Sequence, residues 1–319
     1  MTQSDWVCLP NPVVGWGEEG SKVWKLGILL RHVFFVFHCW RVCRHQHVLV
    51  REFSTVPLLL VFSLLWPLRK KLVFLIHHNV QWAVRNRMER FGLMMLSRMG
   101  ARWAVFETQD FSDLGKFNIP SDQNLVLPHP CDAMRQKSGR ASLSERAVIG
   151  VAGYYRPEKG MDELIRLLQE NFPNLGILLG VPNPEAVRHL GVEVVDTSTD
   201  DAYREMISRC DVLVQNGAEE SYFYRASGPI ADAAACGTAV VVPDFPIIGK
   251  QVAGIGEVFQ GLEKMPKVVR RAIEKMRNGE YDFETYCAAR SAQAIAKKLD
   301  GFNIEKRKET KKELATNKM

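Results

Sequence analysis

Short apolar runs alternate with amphipathic stretches of helix length along nearly the whole chain. The run LVFLI at residues 72–76 predicts a buried strand, because successive apolar residues suit a strand covered on both faces. Residues 55–68, which precede it, have the length and apolar content of a helix. Repeated strand–helix alternation favours parallel strands joined by right-handed crossovers. We therefore predict an α/β protein.

The alternation predicts two successive series of elements. In the first half, strands are predicted at residues 6–10, 47–53, 72–76, 102–107 and 124–127, and helices from Ser21, at 55–68, at 84–99 and briefly after Gln109. In the second half, strands are predicted at 147–152, 175–179, 192–195, 211–214 and 239–242, with helices at 162–171, 184–190, 200–209 and 228–236. Amphipathic helices follow over residues 266–296.

A polar stretch after residue 131 interrupts the alternation, which restarts at residue 147. We therefore predict a first domain at 1–135, a linker at 136–146 and a second domain at 147–280. A helix at 281–300 is expected to pack back on the first domain, and 301–319 to form a disordered basic tail. Both domains are predicted to be doubly wound, Rossmann-like units. Because ligands bind beyond the carboxyl ends of such strands, we expect the two domains to face a central cleft.

Two segments are apolar enough to raise the question of a membrane span. Residues 26–40 are interrupted by Arg31, His32 and His38, and residues 56–66 fall short of the roughly 20 that a spanning helix needs. We interpret both segments as buried helices.

The chain has 319 residues and a net charge of +6, which its first part carries entirely. Residues 1–130 contain 15 Lys and Arg against 9 Asp and Glu, whereas the remainder is balanced. This asymmetry predicts an acidic partner for the first domain: an acidic molecule, an anionic membrane surface or DNA. Basic clusters at Arg69–Lys71 and around Arg87 leave peripheral attachment to a membrane open.

Other compositional features narrow the protein class. The overall composition excludes collagenous, coiled-coil and intrinsically disordered chains. Seven scattered cysteines form no CxxC pair, so they offer no metal site, and we predict thiols in a reducing cytoplasm. The N-terminus lacks the pattern of a secretory signal.

The segment Gly15-Trp-Gly17-Glu-Glu-Gly20 has GxGxxG spacing after a predicted strand. It could be the dinucleotide fingerprint of an NAD-dependent enzyme. Against that, Glu18 and Glu19 would place negative charge beside a pyrophosphate. The alternative is that Gly15 and Gly17 let the backbone approach whatever fills the cleft.

His77, His78 and Asn79 directly follow the strand predicted at 72–76. At the carboxyl end of such a strand, a histidine is consistent with a structural role, a general base or a hydrogen-bond donor to substrate. We therefore retain all three residues as candidates for a cleft loop.

Gly153-Tyr-Tyr-Arg156-Pro-Glu-Lys159-Gly160 lies between the first strand and first helix of the second domain. Arg156 and Lys159 flank the opening of that helix, where two cations join its positive dipole end. This arrangement suits a diphosphate.

The stretch at residues 211–243 contains most of the remaining candidates. Its loop contains Glu219, Glu220, Tyr224 and Arg225, and Ser227-Gly228 then opens a helix with Asp232 one turn in. Free backbone N–H groups at Ser227 and Gly228 could hold phosphate oxygens. The Asp232 carboxylate could accept hydrogen bonds from ribose hydroxyls, or could simply be an acid favoured by the helix N-terminus.

With these motifs, the second domain resembles the GT-B glycosyltransferases of the retaining family 4 type. Their pattern Gly-x5-Lys-Gly-hydrophobic-x-x-Leu is matched by Gly153, by Lys159 with the two residues after it, and by Leu164. An acid followed by Ala-x-Ala-x-Gly-x-x-Val-Val is matched from Asp232 to Val241.

The first domain also resembles the exopolysaccharide-type members of that family. His78-Asn79 matches a His-Asn pair after a strand, and Leu127-Pro-His129-Pro resembles their pre-linker strand. The resemblance covers residues ~6–296 and implies a GT-B fold with an acceptor-side first domain and a donor-binding second domain.

The resemblance also implies roles for individual residues, and the sequence departs from the family pattern at two positions. Arg156 and Lys159 would neutralise the donor diphosphate, and His78 would face the transferred sugar. The usual Arg after the motif glycine is Tyr154 here. The first acid of the family's Glu-x7-Glu pair is replaced by Tyr224, and Glu220 could supply the missing carboxylate.

The implied activity is metal-independent transfer of a hexose from a UDP- or GDP-sugar to an acceptor hydroxyl, with retention. It implies no cofactor, because the nucleotide sugar is a co-substrate. The acceptor would be a glycan, a glycolipid or a similar molecule, handled in the cytoplasm or at the inner face of a membrane. Three alternatives stay open: a glycosyltransferase for modified DNA bases, an NAD-dependent Rossmann enzyme, and a non-catalytic subunit that binds nucleotide sugars.

Overall fold

The structure, a computed structural model, describes residues 22–42, 48–51, 53–76, 78–108, 117, 119, 124–133, 146–155, 160–217 and 219–302. Contacts divide the chain into two units, Met1–Leu127 with Leu299–Met319, and Pro128–Lys298. The strand predicted at 6–10 and the short helix after Gln109 lie outside the described residues.

In the described part of the first unit, four parallel strands pair in sequence order. They are β1 (Val48–Val50), β2 (Leu72–Ile76), β3 (Arg102–Phe106) and β4 (Asn124–Leu127). The helices are α1 (Lys22–Val42), α2 (Thr55–Leu65), α3 (Asn79–Arg85) and α4 (Arg87–Arg98), and a 3-10 helix (Trp66–Lys71) continues α2. Every residue of β2 is buried, as its sequence predicts.

The single helix predicted at 84–99 is wrong at its N-terminal end. Asn86 divides this part of the chain into two helices, α3 and α4. Asn86 is extended (φ −115°, ψ 114°), and its side chain accepts hydrogen bonds from the N–H groups of Met88 and Glu89. It is therefore the N-cap of α4 and the end of α3, which is the role that a short amide side chain favours.

The helices predicted at 26–40 and 56–66 exist, but their description as buried helices is only half right. α1 buries His32, Val36 and Cys39 on one face, and α2 buries a similar stripe. The opposite faces carry exposed aromatic and aliphatic side chains, Phe37 and Leu60 among them. No helix of the described residues is both long and apolar enough to cross a membrane.

In the second unit, six parallel strands of the described chain pair in the order β7-β6-β5-β8-β9-β10. They are β5 (Val148–Ala152), β6 (Gly176–Val181), β7 (Glu193–Asp196), β8 (Val212–Val214), β9 (Ala239–Pro243) and β10 (Gly256–Phe259). The helices are α5 (Met161–Asn171), a 3-10 helix (Pro184–Leu190), α6 (Asp200–Arg209), α7 (Glu219–Tyr222), α8 (Gly228–Ala235), α9 (Pro246–Gln251), α10 (Met265–Arg277) and α11 (Phe283–Ala289).

The strand order of the second unit reverses between β5 and β8. The chain builds outward from β5 through β6 to β7, returns through α6 and continues from β8 to β10. This is the doubly wound order predicted for a Rossmann-like unit, and its switch point is where such sheets bind ligands. A continuous apolar core, which includes Ile149, Leu213 and Val241, surrounds the sheet.

The predicted domain boundaries need two corrections. The first unit ends at Leu127 rather than at 135, because Cys131 already belongs to the core of the second unit. The helix at 281–300 was expected to pack on the first domain, yet α11 packs against α8. Its apolar stripe of Phe283, Tyr286 and Cys287 is buried in the second unit. A further helix at 292–302 follows, and the expectation holds for its end: the chain groups with the first unit from Leu299, and the guanidinium of Arg102 lies over the Phe302 ring. The predicted linker at 136–146 lies outside the described residues except for Arg146.

Candidate functional site

The two loops that flank the switch point of the second unit meet at Gly160 and Asn216. Gly160 has φ +68°, and a Cβ atom there would lie 3.6 Å from Nδ2 of Asn216. Gly153 leaves β5 at φ +142°, which residues with a Cβ rarely adopt, and its N–H donates to the Gly180 carbonyl. Tyr154, which follows it, is 73% exposed. The loops after β5 and β8 therefore come together where a doubly wound sheet binds its ligand.

The buried side chains of Gln215, Gln251 and Tyr286 hold Ser227 at the start of α8. The Ser227 hydroxyl donates to Oε1 of Gln215 at 2.9 Å. Gln251 accepts from the Ser227 N–H and donates to the Ser227 carbonyl, both at 2.8 Å. The Tyr286 hydroxyl donates to the carbonyl of Gln251. Buried networks of this kind hold a backbone segment in one position.

The expectation that the backbone N–H of Ser227 is free for a phosphate is wrong, because Gln251 accepts it. The next residues keep the anion-binding potential of the helix. Pro229 has no N–H, but the N–H groups of Gly228 and Ile230 lie in the first turn, which offers no intrahelical acceptor. A Cβ atom on Gly228 would meet nothing within 4 Å, so the space in front of this residue is open. The positive end of α8 can therefore receive an anion.

Arg225 places a cation just before this helix. Its guanidinium lies over the ring of Tyr222, 5.6 Å from the ring centre. Its Nε is buried and, among the described residues, has no hydrogen-bond partner. Burial lowers the pKa of Arg225. A desolvated guanidinium with an unused donor favours an anionic ligand, because a charge-assisted hydrogen bond would satisfy that donor.

Asp232 lies one turn into α8 and faces α6. Its Oδ2 accepts a hydrogen bond from the Tyr203 hydroxyl at 3.4 Å. Burial raises the pKa of Asp232, while the bond from Tyr203 and the charge of Arg204 act in the opposite direction. Among the described residues, Tyr203 is the one hydrogen-bond donor to this carboxylate, and the remaining acceptor capacity suits hydroxyl groups of a sugar.

Tyr224 lies beside Phe223 in the loop between α7 and α8, with the two rings edge to face at 4.7 Å. Phe223 also contacts Phe245, which follows β9. Tyr224 therefore belongs to an aromatic cluster at the carboxyl ends of β8 and β9. Glu220 is the second residue of the short helix α7.

A cavity of about 410 Å³ opens next to this cluster, beyond the carboxyl ends of β8, β9 and β10. It combines aromatic rings with polar groups, and the Gln260 amide donates to Oδ2 of Asp244 at its rim. Its lining includes Asn216, Glu219, Phe223, Asp244, Phe245 and Gln260. Sequence reasoning missed Asn216, Asp244 and Gln260. Asn216 and Asp244 closely follow the strands predicted at 211–214 and 239–242, which would have indicated them, whereas Gln260 follows β10, which was not predicted.

In the first unit, His78 and Asn79 follow β2 and begin α3. The half-buried His78 stacks on Trp82 with ring centres 5.8 Å apart, and its carbonyl accepts the Trp82 N–H. Asn79 is 4% exposed, and its amide donates to the Phe53 carbonyl and to the Thr55 hydroxyl. Asn79 therefore positions the loop, while His78 remains the residue of the pair that a ligand could contact.

Several predicted site residues lie outside the described residues. They are Gly15, Gly17, His77, Arg156 and Lys159. Among the residues that the structure does describe, no three His, Cys, Asp or Glu side chains come together as a possible metal site.

Comparison with known proteins gives structural neighbours only. No protein-family model and no curated protein sequence matches the chain. HepE (Alr3699) from Anabaena, in complex with UDP, superposes with a TM-score of 0.59 at 15% identity, over 87% of this chain and 84% of that one. Its complex with UDP-glucose gives 0.53 at 15% identity, over 85% and 82%.

A UDP-forming α,α-trehalose-phosphate synthase from Burkholderia vietnamiensis has a TM-score of 0.55 at 11% identity, over 92% of this chain and 81% of that one. These neighbours are glycosyltransferases of the GT-B fold. Both parallel sheets of the chain, each with its own helices, match that architecture. This chain therefore has the GT-B fold, built from two Rossmann-like units.

Proposed function

We propose that the chain is a retaining, metal-independent glycosyltransferase that moves a hexose from a UDP- or GDP-sugar to an acceptor hydroxyl. The observation that carries the proposal is the arrangement at the switch point of the second unit. An open helix N-terminus at Gly228, a desolvated guanidinium at Arg225 and a carboxylate at Asp232 lie within one loop and one helical turn. The structural neighbour HepE binds UDP-glucose, which has the phosphates and hydroxyls that these groups recognise.

Each group has a role in holding the donor. The N–H groups of the first turn of α8 and the guanidinium of Arg225 bind the diphosphate. Arg156 and Lys159 add two cations at the start of α5, on the sequence resemblance. Asp232 accepts hydrogen bonds from the ribose hydroxyls. Gly153 and Tyr154 line the loop through which the donor enters, on the same resemblance.

The chemistry needs no protein nucleophile. The bond between C1 of the hexose and the diphosphate oxygen breaks, and a bond from C1 to the acceptor oxygen forms on the same face. The acceptor's proton passes to the departing diphosphate oxygen. Cations and helix N–H groups placed around the leaving group stabilise the charge that develops there, and this electrostatic effect is the main contribution of the protein.

The first unit takes the acceptor in this proposal. His78, stacked on Trp82 at the end of β2, contacts the transferred sugar in this proposal, as the sequence resemblance implies. On the same resemblance, Gly15, Gly17 and His77 belong to the acceptor side. Asn79 keeps the His78 loop in place through its bonds to the neighbouring loop. The excess of Lys and Arg in residues 1–130 favours an acceptor that is acidic or lies on an anionic surface.

A thermal-shift series tests donor binding. We expect UDP, GDP and their hexose conjugates to raise the Tm of the purified protein, with one nucleotide preferred, because a ligand that binds only the folded state stabilises it. NAD(H) is the matched competitor, since the doubly wound strand order also suits a dinucleotide. Protection by NAD(H) and by none of the nucleotide sugars would contradict the proposal.

Turnover tests the catalytic part. Release of UDP or GDP from the preferred donor, and the anomeric configuration of the product by NMR, report transfer and retention. Lys159→Ala should reduce kcat/KM by about 100-fold or more without changing Tm. Lys267→Ala, on the exposed face of α10, should leave kcat/KM unchanged. Reversible loss of turnover with EDTA would overturn metal independence, and a Lys159→Ala rate equal to wild type would remove that residue from the site.

A further inference from the structure

The outer surface of α1, α2 and the following 3-10 helix is apolar although it faces solvent. We call it the α1–α2 face, and define it by the exposed side chains Phe34, Phe37, Trp40, Leu60, Leu64 and Trp66. Phe37 is 68% exposed and Leu60 65%. A helix that is apolar all round normally buries its whole circumference, and soluble monomers rarely expose an apolar patch of this extent. We therefore expect this face to be in contact with a partner or a membrane.

The two helices present one continuous surface at their C-terminal ends. The indole N–H of Trp40, near the end of α1, donates to the carbonyl of Leu64, near the end of α2, at 3.1 Å. Trp66 follows Leu64 by two residues and carries the guanidinium of Arg69, 4.0 Å from its ring centre. Two tryptophans and the guanidinium of Arg69 thus lie at this end of the face.

The segment of sequence that forms this face is strongly basic. Residues 22–71 contain nine Lys and Arg and a single acid, Glu52, which lies outside the described residues. Arg41 and Lys70 are exposed at the same ends of the helices as Trp40 and Trp66. An apolar surface with exposed tryptophans and a basic rim matches the two layers of a lipid leaflet: acyl chains for Phe and Leu, anionic headgroups for Lys and Arg.

We propose that the α1–α2 face rests on an anionic lipid bilayer and holds the first unit at the membrane surface. Phe37, Leu60 and Leu64 enter the boundary between headgroups and acyl chains, and Arg41, Arg69 and Lys70 contact the phosphates. A second copy of this chain fits the same face less well, because a two-fold dimer brings a patch against itself and would oppose its basic rims. This binding needs no donor sugar, so it is independent of the proposed transfer reaction.

Vesicle co-sedimentation tests the proposal with the full chain. Wild-type protein should pellet with vesicles of phosphatidylcholine containing about 30% phosphatidylglycerol, and at least about tenfold less with phosphatidylcholine alone. Phe37→Ser combined with Leu60→Ser should reduce the bound fraction on anionic vesicles by about tenfold or more. Both side chains are exposed, so equal Tm values for variant and wild type should accompany the loss.

Two matched controls distinguish binding through this face from nonspecific hydrophobic adsorption and from an effect of net charge. Met88→Ser with Phe91→Ser removes two side chains of similar exposure from α4 and should leave the bound fraction unchanged. Arg41→Glu with Lys70→Glu should abolish binding, whereas Lys297→Glu with Lys298→Glu, the same change of net charge in the second unit, should not. Wild-type binding by the Phe37/Leu60 variant overturns the proposal. So does a lipid-free dimer that this variant dissociates, which would assign the face to a second copy.

Discussion

The hydroxyl of Tyr203 donates a hydrogen bond to Oδ2 of Asp232 at 3.4 Å and so joins α6 to α8 beside the switch point of the second unit. Burial raises the pKa of both groups, and each also acts on the other: the carboxylate raises the pKa of Tyr203, whereas the hydroxyl lowers that of Asp232. The net direction for Asp232 is upward, so this carboxylate costs folding free energy when it is charged. A costly buried acid at a ligand site is expected where function requires it.

Asp232→Asn should therefore raise stability at neutral pH. Because its pKa is raised in the folded protein, the folded state retains this proton to a higher pH than the unfolded chain does, and stability falls as the pH rises through that interval. The variant lacks this loss. Thermal melts should show a higher Tm than wild type at pH 7, with the difference closing as the pH approaches the ordinary pKa of an aspartic acid. A lower Tm for the variant at pH 7 would contradict the raised pKa.

The same variant should bind the donor more weakly. An amide offers one acceptor atom in place of two, and it brings N–H groups toward ribose hydroxyls that must donate. We expect about a 10- to 100-fold loss of affinity for the nucleotide sugar, measured by calorimetry. Tyr203→Phe is the control, since it keeps the carboxylate and removes only its protein partner. Unchanged affinity in Asp232→Asn would remove this residue from the donor site.

Replacing Arg225 should also change donor affinity without lowering the stability of the fold. Its buried Nε has no partner among the described residues, so Arg225→Gln should leave Tm unchanged or slightly higher. Donor affinity should fall by about 10-fold or more, because a charge-assisted hydrogen bond to the diphosphate is lost. Arg270→Gln, the same change at an exposed arginine over Phe172, should affect neither quantity. Equal losses in both variants would indicate a general charge effect.

The elements of this fold could largely be predicted from the sequence, because their local signals agree with their packing. β2 and β4 have the predicted bounds, and α6 begins where Thr199 caps it through a bond from the Ala202 N–H. β10 was missed, since Gly256 and Glu257 have low strand propensity and leave only two apolar residues in GEVF. Its pairing depends on Gly256, where a Cβ atom would lie 2.1 Å from the Val240 carbonyl oxygen.

The glycines and charged residues of the candidate site could be predicted from the sequence. The buried polar residues that hold them in place could not. Asp232 and Gly228 stand in a recognisable local pattern, whereas Gln215 and Gln251 are polar residues that a sequence assigns to loops. Only the folded chain brings them to Ser227, from 12 and 24 positions away. The outward faces of α1 and α2 were also unpredictable, because an apolar stripe does not record whether protein or another medium covers it.

The Gln251 amide should contribute more to stability than an exposed amide does. It makes two bonds of 2.8 Å to the Ser227 backbone, and both partners are buried. Gln251→Leu leaves a buried N–H and a buried carbonyl unsatisfied, each at a cost of about 1–3 kcal/mol. Urea titration should show this as a lower midpoint. Gln260→Leu removes an exposed amide that bonds to Asp244 and should shift the midpoint far less.

The thiols of Cys131 and Cys287 provide a test of the revised domain boundary. Their Sγ atoms lie 3.4 Å apart in the core of the second unit, and burial is the main cause of the raised pKa of each. Since the thiolate is the reactive form, both should resist iodoacetamide at pH 7.5 in the native protein and react only in denaturant. Peptide mass spectrometry measures this, with Ser198→Cys as an exposed thiol that should label rapidly. Rapid native labelling of Cys131 would show that the chain around it is not packed in the second unit, and would return the boundary toward residue 135.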